Sequence, residues 1–337
     1  MSVRHRPDHG HPTRFLAAAL ACLAIAGCSS KPADTPPATI TPAGPAVSPP
    51  VSGAPDGAVR PLPGPGTAAV FDTATTSLVI LCTDTAGHPV VSVGYAVLPL
   101  PAAATALAGD GAGTVYLATR GGYFRLDAAR HTLTTVAVDG QSGTDFTAIA
   151  LRADGKLVLG TADGAVLTIA GTAVESRLKA FARVDQLVAQ GNDVIVLDRG
   201  QTSVTEVNAS GSSAAQALRA GDGATVMATD PAGRVLVTDT RGDGLLVFGT
   251  SPLLLRQRAP VRGAPYGVIG TSRLTWVSET ASNSVVGYDL STGIPVEKVR
   301  YRTVQQPNTL AFDDRTDTLF VVSGSGGGAQ TIAGAGR

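Results

Sequence analysis

The sequence predicts an all-β chain folded as a seven-bladed β-propeller, and three observations carry that expectation. A unit of three short strands recurs at intervals of roughly 40 residues, the length of one four-stranded blade. The composition, with 40 Gly, 15% charged residues and abundant Val, Thr and Ala, suits tightly turned β structure better than helix or disorder. A short polar residue closes the second strand of every repeat in one column. Six or eight blades fit this spacing less well.

The clearest copy of the unit is residues 224–248, ATVMATDPAGRVLVTDTRGDGLLVF. Residues 226–228 and 235–237 read as buried strands separated by the turn Asp230-Pro231-Ala232-Gly233, and Arg241-Gly242-Asp243-Gly244 turns the chain into a third strand at 245–248. Laid along the chain, the unit places first strands at 68–71, 106–108, 148–151, 187–189, 226–228, 267–269 and 309–312. Second strands begin at Val79, Val115, Leu157, Val194, Val235, Leu274 and Leu319. Turn residues part the two strands, as in Asp110-Gly111-Ala112-Gly113, Asp154-Gly155 and Asp313-Asp314. The polar column reads Thr83, Thr119, Thr161, Asp198, Asp239, Ser278 and Ser323. In the next position Arg120 and Arg199 stand alongside Asp84 and Glu279.

The seventh repeat is short. The residues after Ser323 allow a third strand near 330–333 but hardly a fourth, and a propeller hides its strand faces only when the ring is complete. Residues 58–62 are the expected donor of the missing outer strand. Pro61 and Pro63 are tolerated there because an edge strand can lose an N–H.

Three organisational units follow: residues 1–27, 28–57 and 58–337. Arg4, Arg6 and Arg14 precede an apolar run at 15–26 that is too short for the ~20 residues of a membrane span, so residues 1–27 read as an export signal. Ile25-Ala26-Gly27-Cys28 followed by Ser29-Ser30 resembles the lipobox of bacterial lipoproteins, which implies lipidation of Cys28 and anchoring at the extracytoplasmic face of the cell membrane. With Cys22 removed and Cys28 acylated, Cys82 is left alone in an apolar run, an inert buried thiol with no disulfide partner. Half of the chain's 22 prolines fall between Ser29 and Gly66, so residues 28–57 are expected to be a disordered tether. Loss of Arg4, Arg6, Arg14 and Asp8 leaves a mature net charge of about −2, which excludes the electrostatics of nucleic-acid binding.

The small-apolar first strand, Asp/Gly turn, apolar second strand and polar loop resemble NHL and YVTN-type propeller repeats. Pro265-Tyr266-Gly267 and Pro307-Asn308-Thr309 match the Pro that precedes the first strand in those repeats. The signal, the Pro-rich segment and the stretches GGYF, DRGQTS, TASNSVVGYDLSTGIPVEKVRY and VQQPNTLAFD are similar to the LppL-type lipoproteins of mycobacteria across essentially the whole chain. That resemblance implies an envelope-anchored propeller and brings no activity with it.

Propeller topology sorts candidate residues onto two faces. His88 falls in a second-to-third-strand loop and His131 in a third-to-fourth-strand turn, so the two are expected on opposite faces, too far apart to share a metal or act as an acid/base pair. Asp72, Asp110, Asp154, Asp230 and Asp313 are expected to hold turns rather than calcium. No Walker sequence, zinc spacing or nucleophile elbow occurs, and no cofactor is implied. What remains is the face of the polar column, with Asp84, Arg120, Asp163, Arg199, Arg241 and Glu279 from one set of loops and Asp185, Tyr266 and Asn308 from the other. Residues of both signs around a channel mouth fit a polar surface for an envelope protein or glycan. A lactonase-like or quinone-dependent enzyme would need acidic and amide ligands there, for which Asp185, Glu279 and Asn308 are the candidates. A glycan carrier would need aromatic platforms, and aromatics are only 4% of the chain.

Overall fold

The computed structural model describes residues 38–336; residues 1–27, read above as an export signal, Cys28 and the first part of the expected tether lie outside them. Seven four-stranded antiparallel sheets form the ring, and each contributes its first strand to the central channel. These first strands are Gly66–Asp72, Ala104–Gly109, Phe146–Leu151, Gln186–Gln190, Ala224–Thr229, Pro265–Gly270 and Pro307–Asp313, in blades one to seven. All seven contain the expected first strands, and the second strands, Ser77–Thr83 through Thr318–Ser323, begin within two residues of the expected positions.

Because successive side chains of a strand point to opposite faces, an apolar run buries both faces when a sheet stands between two others. The core is therefore divided among the seven blade interfaces rather than gathered in one place. Val79 and Leu81 of blade one pack on Val115 and Leu117 of blade two. Val235 and Val237 of blade five meet Ile195 and Leu197 of blade four, while Leu236 faces Val277 of blade six. Trp276, fully buried, stands between blades six and seven and stacks on Tyr301 and Phe312.

Both termini close the ring. The third strand of blade seven, Ala329–Ile332, is flanked by Thr318–Ser323 on one side and by Ala58–Arg60 on the other, with Ala58 opposite Thr331, Val59 opposite Gln330 and Arg60 opposite Ala329. Leu62 extends this clasp into the interface of blades seven and one, where Leu78, Ile80, Cys82 and Val90 pack on Ala311, Val322 and Ala329. Burial there pushes the Cys82 thiol up to about 11, in keeping with an inert core residue.

The strand pairing also corrects the column. In six blades the first strand begins with a β-bulge, and the residue before the bulge pairs with the last inward position of the second strand. Those partners are Cys82, Thr119, Thr161, Asp239, Glu279 and Ser323, and Asp198 occupies the equivalent place in blade four. In blades one and six the sequence reading was therefore one residue out, at Thr83 and Ser278. A slip of one residue exchanges the two faces of a strand, so Asp84 and Glu279 do not share a column with Arg120 and Arg199.

Candidate functional site

The face that carries the second-to-third-strand loops and the links between blades is built on the corrected column. Asp239 shows why polar residues recur there. Its Oδ1 accepts from Gly223 N at 2.8 Å, in the link before blade five, and from Gly242 N at 3.0 Å, in the loop after its own strand. Asp198 likewise accepts from Ala182 N and Gln201 N, at 2.9 and 3.0 Å. In blade seven Ser323 Oγ donates to Gln305 O and accepts from Gly327 N. The column is thus buried beneath the surface, and at Asp198, Asp239 and Ser323 it staples two loops together at the channel mouth.

The channel holds about 770 Å³ and is lined by the first strands. Its mouth is rimmed by the bulge residues Thr67, Thr105, Thr147, Thr225, Tyr266 and Asn308. Threonine hydroxyls tie blade to blade: Thr105 donates to Phe146 O at 2.8 Å and Thr147 to Val184 O at 2.5 Å. Tyr266 and Asn308 are among the residues expected here from the sequence; the four threonines are not, although a Thr immediately before a small-apolar run recurs in four of the repeats.

Asp185, Arg199, Tyr266 and Asn308 do converge on the channel mouth. The Asp185 side chain is only 11% exposed and accepts from Arg199 N at 2.7 Å and from Arg183 Nε at 3.2 Å. Burial nevertheless raises its carboxyl above the ordinary carboxylate range. Burial also raises the Tyr266 phenol, against the opposing pull of the Arg199 charge. Asn308 accepts from Gln306 Nε2 at 3.0 Å.

The other candidates separate from this group. Asp84 holds its own turn, accepting from His88 N at 2.8 Å and Ala86 N at 2.9 Å, and those bonds lower its pKa. Glu279, expected on the surface, is 4% exposed and lies under Arg300, whose Nη1 reaches its Oε2 at 2.5 Å; it therefore fills a column position rather than a binding one. Arg120 is 65% exposed and pairs with Asp145 at 2.8 Å, a surface contact worth less than ~1 kcal/mol. The Lys179 ammonium beside Asp163 lowers its carboxyl below the ordinary value, with Thr161 and Arg177 adding to the effect. On the opposite face Asp72, Asp110, Asp230 and Asp313 accept turn amides or turn side chains. His88 and His131 occupy the loop and the turn that put them on opposite faces. Among the described residues no group of three or more His, Cys, Asp or Glu is arranged to hold a metal.

The largest difference from the sequence reading concerns residues 38–57, expected to be free tether. From Ile40 to Pro49 they form a strap across the mouth face over blades four to seven. Ile40 N donates to Gly200 O at 2.8 Å, Arg241 Nη2 to Thr41 O at 2.9 Å, and Arg199 to Ala43 O. Gln306 donates from Nε2 to Ala46 O at 2.9 Å and accepts from Ser48 N at 3.0 Å. Ala46 N donates to Thr280 Oγ1, and Asn283 Nδ2 donates to Pro49 O at 2.7 Å. Prolines hold such a segment extended while its carbonyls stay free to accept, so a composition that cannot build a core can still be bound as backbone. Farther along, Asp56 ties the segment to Arg302.

No family model matches the sequence, and no curated protein matches it. Solved structures do. U3-55K has a TM-score of 0.68 at 12% identity, covering 82% of this chain and 97% of that one. A chain of the mitotic checkpoint complex gives 0.67 at 11%, covering 88% and 98%. Virginiamycin B lyase from Staphylococcus aureus gives 0.62 at 12%, covering 82% and 99%. At such identities the likeness concerns fold alone, and in fold this chain is a seven-bladed β-propeller.

Proposed function

We propose that this chain is a cell-envelope lipoprotein, anchored through Cys28 at the extracytoplasmic face of the membrane, whose propeller is a non-catalytic binding or scaffold module for an envelope protein or glycan. The observation that carries the binding role is the part of the mouth face that the strap leaves open. There Arg120, Asp145, Asp163, Arg177 and Lys179 form an exposed patch of both signs over blades two and three. Loop geometry does not require these long side chains, since Ala162 and Gly324 occupy positions equivalent to Arg120.

Changing Arg120 and Lys179 together to Glu is expected to leave the melting temperature within about 3 °C, because exposed substitutions cost under ~0.5 kcal/mol each. The same pair should reduce cross-linked capture of the envelope partner at least tenfold; undiminished capture at unchanged stability would return the patch to ordinary solvated surface. The anchor has its own test. Cys28→Ala should abolish incorporation of labelled palmitate and release the protein from membranes, and continued labelling would overturn the assignment.

A second reading, a lactonase-like or quinone-dependent enzyme, draws on the convergence of Asp185, Arg199, Tyr266 and Asn308 at the channel mouth and on a lyase among the proteins of similar fold. Turnover of a lactone by the purified chain would decide for it. A glycan carrier has less in its favour, with Tyr266 the lone aromatic among these site residues.

A further inference from the structure

The geometry points to a peptide groove: the mouth face over blades four to seven recognises an extended, uncharged Ala/Pro-rich peptide, and residues 40–49 are its resident occupant, exchangeable for a partner segment of the same kind. This rests on the reading that the mouth face is the binding face, and it names the class of ligand.

The contacts are those of a receptor for backbone. Gln306 offers an amide that pairs with a C=O and with the N–H two residues later, as a neighbouring strand would. Arg199, Arg241 and Asn283 each donate to a carbonyl, so the groove selects a chain rich in free acceptors, and the strap that fills it has no charged side chain. Only two side chains of the strap are enclosed. Ala43 is buried where Gly223 leaves room for a methyl group, and Ser48 is buried with its hydroxyl donating to Thr280 O at 2.5 Å and accepting from Gln306 N at 3.1 Å. Val47, by contrast, is 93% exposed. The required pattern is a small residue, then a serine five positions on, with prolines between and after them to hold the backbone extended.

The strap has no strand pairing with a sheet and no large buried side chain, so its hold is a set of separate hydrogen bonds that an equivalent peptide can replace. Its covalent attachment gives it an effective concentration on the order of mM, so a competing segment must be presented locally, as crowding at an envelope surface would do.

The test uses the full chain and a labelled synthetic peptide of residues 38–51. Fluorescence anisotropy should show saturable binding to a full-length variant whose residues 40–49 are replaced by Gly and Ser, and at least tenfold weaker binding to the unaltered chain. Adding Gln306→Ala to the replaced variant should weaken binding at least tenfold. Absence of saturable binding to a replaced variant that melts cooperatively would overturn the proposal. Hydrogen exchange on the unaltered chain decides the matter should that variant fail to fold: excess peptide should speed exchange of the Ile40, Ala46 and Ser48 amides at least tenfold, and unchanged exchange would refute it. Exchange of straps between intact chains into dimers would assign the groove to a second copy and overturn the partner proposed here. The Arg120 and Lys179 pair lies outside the strapped blades, so failure of peptide binding and failure of partner capture remain distinguishable.

Discussion

A chain that begins at Thr67 is expected to melt at least about 10 °C below one that begins at Ser52, and to aggregate on heating. The difference between the two is the clasp. Beginning at Thr67 removes Ala58–Arg60 and with it the ladder to Ala329–Ile332, leaving the third strand of blade seven as an open edge. It also deletes Asp56, whose carbonyl accepts from the fully buried Gln330 side chain at 2.6 Å. Leu62 leaves the interface of blades seven and one, and Arg60 no longer covers the Tyr95 ring at 5.5 Å. At about 1 kcal/mol net per lost hydrogen bond, with another ~1 kcal/mol for a half-buried Leu, the loss is about 5 kcal/mol, and about 2 °C per kcal/mol suits a domain of this size. Beginning at Ser52 removes only the strap. Its bonds are offset by the ordering of a Pro-rich segment, so the melting temperature should stay within about 5 °C of a chain that keeps the strap. Equal melting temperatures for the Thr67 and Ser52 chains would mean that the ring closes without its N-terminal strand.

The repeat and its closure were legible because both rest on patterns that accumulate. Seven apolar second strands at similar spacing constrain one another, and a seventh blade one strand short demands a donor that the residues before Gly66 can supply. Register within a blade was less legible. Cys82 looks apolar beside Thr83, and Ser278 stands next to Glu279, so polarity alone could not choose the inward position in blades one and six. Pairing across the bulge chooses it. The strap was illegible for a different reason. Burial of apolar side chains leaves a trace in composition, whereas carbonyls accepting from Arg199, Arg241 and Gln306 leave none, and a Pro-rich stretch reads the same free or bound. The identity of the channel rim fell between these cases, since a recurring Thr before a strand carries a signal but a bulge cannot be read from it.

Asp239→Ala is expected to destabilise the fold by about 3–5 kcal/mol, the largest effect predicted for a single side chain on the mouth face. The carboxylate is fully buried and takes N–H groups from Asp222, Gly223 and Gly242, so removing it leaves amides of two loops without their acceptor. The loops have no means of collapsing into the space. They are already wrapped so closely that a Cβ on Gly221 or Gly242 would clash with Asp239 Oδ2. Asp239→Asn keeps one acceptor but turns an amide donor toward the N–H groups, and should cost roughly half as much. Asp163→Asn provides the contrast: that carboxylate is 51% exposed and pairs with surface Lys179, so its loss should cost under ~0.5 kcal/mol. Thermal melts of the three variants give the order directly. The loop that Asp239 fixes carries Arg241, which grips Thr41 O, so Asp239→Asn should also speed exchange of the strap amides while the Asp163 variant leaves them unchanged. If Asp239→Ala melts within about 2 °C of the unaltered chain, the column is not a set of staples, and the polar residue closing each second strand needs another explanation.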